Sequence, residues 1–290
     1  MIKANIGVIG GSGLYQMDDL TVLETVCVET PFGNPSDDII VGTFDNRVNV
    51  AFLPRHGRGH RLLPTEVPSR ANIWALKSLG VETVLSVSAV GSLAEAIEPR
   101  HFIIPDQIID RTKSRSHTFF GEGVVGHVGF ADPFCGELSK IAADACETTG
   151  VHVHRGGTYV CMEGPLFSTR AESRLYRSWG AACIGMTALP EAKLAREAEL
   201  CYATIAMATD YDCWHEEDVS VELVLEHMKH NIIHAKAAVK EAVLKIEAER
   251  ERLAGCGCRS AAKFAIMTDR DRIPRETMHR LDLFYREYWS

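Results

Sequence analysis

No stretch of this 290-residue chain comes near the ~20 consecutive apolar residues that a membrane-spanning helix needs. The opening segment, MIKANIGVIGGSGLY, is no exception: its apolar run is too short for the core of a secretion signal, and its glycines would break a membrane helix. No membrane partner and a cytoplasmic location are therefore expected. A basic surface is also missing. Acidic side chains outnumber basic ones, 39 to 31, for a formal net charge of -8, whereas an extended nucleic-acid surface needs clustered Lys and Arg to displace counterions. Any anion bound here must be held locally.

Cysteine is too sparse for a disulfide scaffold, nine in the whole chain and an odd number. Cys27, Cys135, Cys146, Cys161, Cys183, Cys201 and Cys213 mostly sit in apolar company suited to buried free thiols. Cys256 and Cys258, flanked by glycines in AGCGCRS, are open to a strained disulfide, a weak metal site or an inert tail, and the tail is favoured. No other Cys or His pair has ligand spacing, so no metal is expected. Internal repeats and low-complexity linkers are absent too, which leaves one large domain, with a composition shift only after about residue 250.

What the chain does have is a succession of short β-branched runs, at 5–9, 48–53, 83–88, 102–108, 157–161, 182–186 and 201–209, between amphipathic stretches. Helices are predicted at about 68–79, 134–149, 169–179, 190–198 and 219–247, the last from Val221, Val224, Leu225, Met228, Ile232 and Ile233. Apolar strands alternating with helices make an α/β fold: a twisted mixed sheet covered by helices on both faces. The expected domain spans 1–250. The remainder, 251–290, ends in LDLFYREYWS, too apolar for water, and should pack on its own or a neighbouring subunit.

Six segments carry residues suited to chemistry. GVIGGSGLY, 7–15, is a strand running into a glycine turn whose N–H groups and Ser12 hydroxyl could cradle an anion; it is neither the dinucleotide nor the Walker pattern. In LPRHGRGH, 53–60, Arg55 and His56 emerge at a strand end, where α/β sheets place ligands. Arg offers a planar fork for phosphate oxygens, and His a directed N–H or a proton. SVSAVGSL, 86–93, could add Ser88 to the same anion.

MEGPLFSTRAES, 162–173, couples Glu163, which could accept from sugar hydroxyls, to Phe167, which could wall a base; its second half is equally a helix start capped by Ser168 or Thr169. IGMTALPEAKLARE, 184–197, places Met186 and Thr187 after a strand and Glu191 at a helix start. IAMATDYDCW, 205–214, delivers Asp210 and Asp212 at alternate positions from an apolar strand. Partial desolvation there should raise their pKa enough for one to donate a proton.

Together these blocks, with TPFGNPSD at 30–37 and ANIWALK at 71–77, resemble the methylthioadenosine phosphorylase branch of the trimeric purine nucleoside phosphorylase family, from about residue 5 to 245. The resemblance implies the nucleoside phosphorylase fold and phosphorolysis of S-methyl-5'-thioadenosine, with a 6-oxopurine phosphorylase as the alternative. It implies a phosphate site of Ser12, Arg55, His56, Ser88, the Ala89 backbone and Thr187. Met186 would line the ribose, Asp210 and Asp212 would face the purine with Asp210 as acid, and Phe167 would touch the base. Val221 and Leu225 would meet the 5'-methylthio group, and His127 would come from a neighbouring subunit of a trimer or a dimer of trimers. Small-molecule nucleoside and phosphate are the implied partners; phosphate is a co-substrate, and no cofactor is implied.

Overall fold

The computed structural model describes residues 1–11, 13–14, 17, 19–215 and 221–289, with the backbone alone for 221–223. Ser12 and the side chain of Val221 therefore lie outside the described residues. Its strands are β1 (Ile6–Gly10), β2 (Leu20–Val26), β3 (Ile39–Phe44), β4 (Val48–Pro54), β5 (Thr83–Ser92), β6 (Phe102–Ile104), β7 (Gln107–Arg111), β8 (Val153–Arg155), β9 (Thr158–Met162), β10 (Ala181–Gly185) and β11 (Cys201–Asp210). Its helices are α1 (Ser69–Ser78), α2 (Gly136–Glu147), α3 (Arg170–Ser178), α4 (Ala188–Glu197), α5 (Val221–Ala248), α6 (Arg250–Ala254) and α7 (Arg275–Trp289).

All eleven strands join one mixed sheet in which β1, β4, β5 and β11 run parallel. Their carboxyl ends consequently open on one edge, where loops can carry function. Every residue of β1 and β11 is buried, the pattern of strands covered on both faces. Towards its end β5 changes partner on one side. β1 pairs with Thr83–Ser86, and antiparallel β10 then takes over at Gly91 and Ser92.

Three strands escape the sequence pattern. β2 exposes most of its residues as the end strand of the main sheet path, β8 is three residues long, and β3 is interrupted by Gly42, where a Cβ would lie 2.7 Å from Leu20 Cδ1. The run expected at 102–108 is two strands. Pro105, which has no N–H to donate, separates β6 on β11 and β8 from β7 on β9.

α5 has the expected extent, but its buried stripe lies later, at Ala235, Ala238, Val239, Ala242, Val243 and Ile246; Leu225 and Ile233 are exposed. Cys27 is exposed rather than buried, and Cys213 only half-buried. Beyond residue 250 the chain packs on its own body. Leu281, Phe284, Tyr285 and Trp289 of α7 are buried, with Phe284 4.5 Å from Phe119 and Tyr285 stacked on Phe120 at 5.4 Å. At about 1.5–3 kcal/mol for each large apolar side chain buried, this attachment is strong. Among the described residues no helix is long and apolar enough to cross a membrane.

Candidate active site

Arg55 follows directly from β4, whose apolar strand carries it inward rather than to the surface, and its side chain is almost wholly buried. A buried guanidinium needs a counter-charge and acceptors for five N–H groups. Glu191, in the first turn of α4, supplies the charge: Nε donates to Oε1 at 2.5 Å and Nη2 to Oε2 at 3.1 Å. Nη1 donates to Val87 O at 3.0 Å, and Nη2 also reaches Ser86 Oγ at 2.7 Å and Ile9 O at 3.3 Å. Burial works against the cation, but Glu191 outweighs it and raises the guanidinium pKa further. The fork expected to face an anion is thus engaged by Glu191, and one Nη1 hydrogen remains unassigned.

His56 is buried beside it, and its Nδ1 lies 2.8 Å from Leu62 O. A carbonyl can only accept, so Nδ1 carries the hydrogen, and Nε2 of the neutral ring is an acceptor. Burial, reinforced by the neighbouring Arg55, pushes the imidazole pKa down to about 4. The neutral ring therefore cannot offer Nε2 as the donor expected from the sequence.

This carries a stability signature. Between the ordinary pKa of 6.5 and about 4 the unfolded chain binds more protons than the folded one, so stability present above pH 6.5 is lost as pH falls through that window. By pH 4 the loss should reach about 3 kcal/mol. Urea unfolding across this range should show that component in the wild type and not in His56→Gln. Parallel curves for the two proteins would mean that His56 is not held neutral.

β5 lies beside this pair and carries Ser88, buried, whose Oγ has no hydrogen-bond partner among the described residues, followed by Ala89. The antiparallel register of β10, Ile184 opposite Gly91, then directs Met186 and Thr187 back along Ala89 and Ser88. Arg55, Arg115, Met186, Thr187, Leu189 and Glu191 line one cavity. Arg115 belongs to no motif. It is buried and donates to the carbonyls of Met162, Glu163, Met186 and Leu189, so it staples together the segments around the cavity. Glu163 accepts from the N–H groups of Lys113 and Ser114, one on each carboxylate oxygen, which anchors its carboxylate to that loop.

The carboxylate pair gathers further along β5, beside Gly91. β11 ends at Asp210, and Asp212 adopts a left-handed conformation, φ 52°, that opens a short 3-10 turn through Trp214. A turn, not strand alternation, brings the two together. Asp212 N–H donates to Asp210 Oδ1 at 2.8 Å, and Thr209 Oγ1 lies 2.7 Å from Oδ2. Burial raises the pKa of both carboxyls, opposed at Asp210 by those hydrogen bonds and reinforced at Asp212 by Asp210.

Gly91 makes room for the pair. A Cβ there would lie 3.0 Å from Asp210 Oδ1 and 3.3 Å from Asp212 Cβ. Trp214 Nε1 donates to Ser92 O at 2.8 Å, and Cys213 Sγ to Ser168 O at 3.1 Å, which pins this turn to the segment carrying Phe167. Thr169, not Ser168, caps α3, in a reciprocal capping box with Glu172.

Ser88 and Gly91 are three residues apart on β5, about 10 Å of extended chain. A buried hydroxyl and a carboxylate pair at that separation suit a ligand with an anion at one end and a polar heterocycle at the other. Phe167, half-exposed, stands at the rim; Leu225 is exposed on α5, and His127 is exposed on a loop bonded to Ala265 of the C-terminal segment. His227 of α5, missed in the sequence, is close enough to Asp210 to act on it electrostatically. Among the described residues, metal-ligand atoms gather in two other places, four thiols and the trio His101, His152 and His154.

Comparison with known proteins gives a consistent picture. Residues 5–244 match the Phosphorylase superfamily. The chain is 58% identical to an S-methyl-5'-thioadenosine phosphorylase of Geobacter sulfurreducens, over 98% of each chain, and 54% identical to one of Thermosynechococcus vestitus, over 99% and 100%. A crystal structure of a methylthioadenosine phosphorylase from an antarctic soil metagenomic library superposes with a TM-score of 0.93 at 49% identity, covering 98% of this chain and 99% of that one. An adenosine/methylthioadenosine phosphorylase mutant of Schistosoma mansoni, in complex with methylthioadenosine, gives 0.82 at 36% identity, covering 90% and 99%.

Proposed function

The chain belongs to the phosphorylase superfamily, in its S-methyl-5'-thioadenosine phosphorylase branch, and from that premise we propose how its site divides the work. The reaction is phosphorolysis of S-methyl-5'-thioadenosine to adenine and 5-methylthioribose 1-phosphate, a pentosyl transfer. The observation that best supports the site assignment is the pairing of a buried Ser88 hydroxyl, unpartnered among the described residues, with a desolvated Asp210–Asp212 pair beside Gly91, about 10 Å further along β5.

As the glycosidic bond stretches, the ribose gains positive charge and the adenine gains negative charge, and the two ends of the site answer one each. Phosphate lies among Ser88 Oγ, the Ala89 backbone, Thr187 and the remaining Arg55 Nη1 hydrogen; Ser12, outside the described residues, is assigned to it from the sequence. Because Arg55 is already neutralised by Glu191, hydroxyls and N–H groups carry more of the anion than net charge does. His56 Nε2, an acceptor, receives a hydrogen bond from the P–OH of the phosphate dianion. Met186 lines the ribose, and Phe167 the base.

At the opposite end Asp210, protonated, gives its proton to N7 of the leaving purine. Thr209 Oγ1 donates to Asp210 Oδ2 at 2.7 Å and lies 3.3 Å from Val90 O, so it holds the carboxyl in place while the acid proton faces the purine. Asp212 accepts from the 6-amino group. A 6-oxo group would set two acceptors against each other, costing about 1–3 kcal/mol. Salvage of purine and of the methylthio sugar is the corresponding cellular role, in a cytoplasm that keeps the nine thiols reduced.

The assembly we assign is a trimer, alone or paired, in which His127 completes a pocket across the subunit boundary, while Leu225 and Val221 meet the 5'-methylthio group. Val125, Phe264 and Met267, exposed beside the His127 loop, give that boundary apolar surface. An active species that sediments as a monomer would refute it. Substrate assignment is tested by comparing methylthioadenosine, adenosine and inosine at saturating phosphate. The 6-amino nucleosides should exceed inosine in kcat/KM by ~10-fold or more, the scale of one mismatched polar contact; preference for inosine would favour the 6-oxopurine reading.

A further inference from the structure

Four thiols lie away from the carboxylate pair, and the reaction uses none of them. Cys201 opens β11, whose other end carries Asp210, about 30 Å along the extended chain. Around Cys201 gather Cys135, at the N-terminus of α2, and Cys256 and Cys258, from the glycine-flanked turn that follows α6. The four sulfur atoms all lie within 4.8 Å of one another, Cys135 and Cys256 at 3.6 Å, and all four are free. Three are buried and Cys256 is half-buried.

Sequence spacing alone favours an inert tail for the Cys256–Cys258 pair, because the other half of the set is 55 or more residues away in the chain. The fold closes that distance. In a regular tetrahedron with metal–sulfur bonds of about 2.3 Å, neighbouring sulfurs stand about 3.8 Å apart, within the range found here. We propose that Cys135, Cys201, Cys256 and Cys258 form a closed tetrathiolate site for one zinc-class divalent cation, which ties the C-terminal segment to α2 and β11. Soft thiolate ligands with no oxygen donor select zinc-like ions over calcium or magnesium.

Binding releases four thiol protons to solvent and leaves a centre of net charge -2. The surroundings suit such a charge. Lys77 and Arg259 act electrostatically on Cys201, and Arg196 on Cys258, although Arg259 also pairs with Glu82 at 2.8 Å. The N-terminus of α2 adds its partial positive charge at Cys135. With all four positions filled by protein and the reacting carboxylates far off, the ion has a structural role.

Cobalt(II) added to the reduced full-length protein is the test. One equivalent per chain should produce thiolate-to-cobalt charge-transfer bands and the strong visible bands of a tetrahedral site, and zinc should displace both. His101, His152 and His154 can also take up cobalt, but imidazoles give no thiolate charge transfer. The Cys256→Ser/Cys258→Ser protein should lose these bands and melt at the temperature of metal-free wild type, while keeping its turnover at ordinary assay temperature. Absence of thiolate bands in reduced wild type overturns the proposal, as does their persistence in the double variant. Freshly purified protein that shows four fewer titratable thiols than its nine when unfolded without reductant would mean disulfides in place of a metal, and would overturn it equally.

Discussion

Asp210→Asn should lower kcat/KM for methylthioadenosine by the ~10²–10⁴-fold typical of a lost general acid, mostly in kcat. The substitution preserves the local hydrogen bonds. Oδ1 of the amide can still accept from Asp212 N–H, and its NH₂ group would meet Thr209 Oγ1 at the position of Oδ2, with the hydroxyl turned to Val90 O. A folding defect is therefore not the expected cause of the loss. What disappears is the proton on a carboxyl that burial holds above its ordinary pKa. With one amide N–H on Thr209 Oγ1, the other is left to donate to the acceptor edge of a 6-oxopurine, so inosine turnover should fall less, or rise, and the ratio of 6-amino to 6-oxo kcat/KM should drop. A ratio that stays constant or moves towards the 6-amino substrate would place Asp210 away from the purine edge.

The largest stability effect should come from Arg55→Ala. It leaves Glu191, almost fully buried, without its cation, and removing one partner of a buried pair costs about 3–5 kcal/mol. Against a total stability of roughly 5–15 kcal/mol this is a severe loss. Glu191 would retain Tyr202 OH, at 3.1 Å, and Ser86 Oγ, at 3.3 Å, as donors, but two neutral hydrogen bonds do not replace a bidentate guanidinium. Adding Glu191→Gln to Arg55→Ala should restore part of the stability, so a double-mutant cycle by denaturant unfolding should show strong coupling. Additive effects, or an Arg55→Ala protein within about 1 kcal/mol of wild type, would mean the pair is solvated in solution. The phosphate role of Arg55 is better read from Arg55→Lys, which keeps the charge and loses the fork; its KM for phosphate should rise more than its KM for the nucleoside.

The parts of this protein legible in the sequence are those set by short-range pattern. The runs at 48–53, 83–88 and 201–209 read as buried strands because few residues other than apolar ones fit between two helix layers, and they lie in β4, β5 and β11. Strand ends in turn locate Arg55 and Asp210, while Ser88 closes the apolar run but lies inside β5, which continues to Ser92. What the sequence does not reveal is contact between distant segments. Glu191 reads as a helix-start acid, and only the fold shows it as the counter-ion of Arg55 across 136 positions. Arg115 sits in a polar loop with no motif, yet four carbonyls from two other segments converge on it. The tautomer of His56 depends on Leu62 O, and the approach of Asp212 to Asp210 on a left-handed residue; neither has a composition signal. The thiol cluster is the extreme case, since three separate elements supply its four members.

Central to this account is that phosphate is the nucleophile. The direct measurement is to incubate the purified protein with methylthioadenosine, with and without inorganic phosphate, and to follow adenine, phosphate and the sugar product together. Adenine release should require phosphate and consume one equivalent of it per adenine, with the sugar recovered as its 1-phosphate. Adenine release in the absence of phosphate, with free 5-methylthioribose as the product, would contradict it.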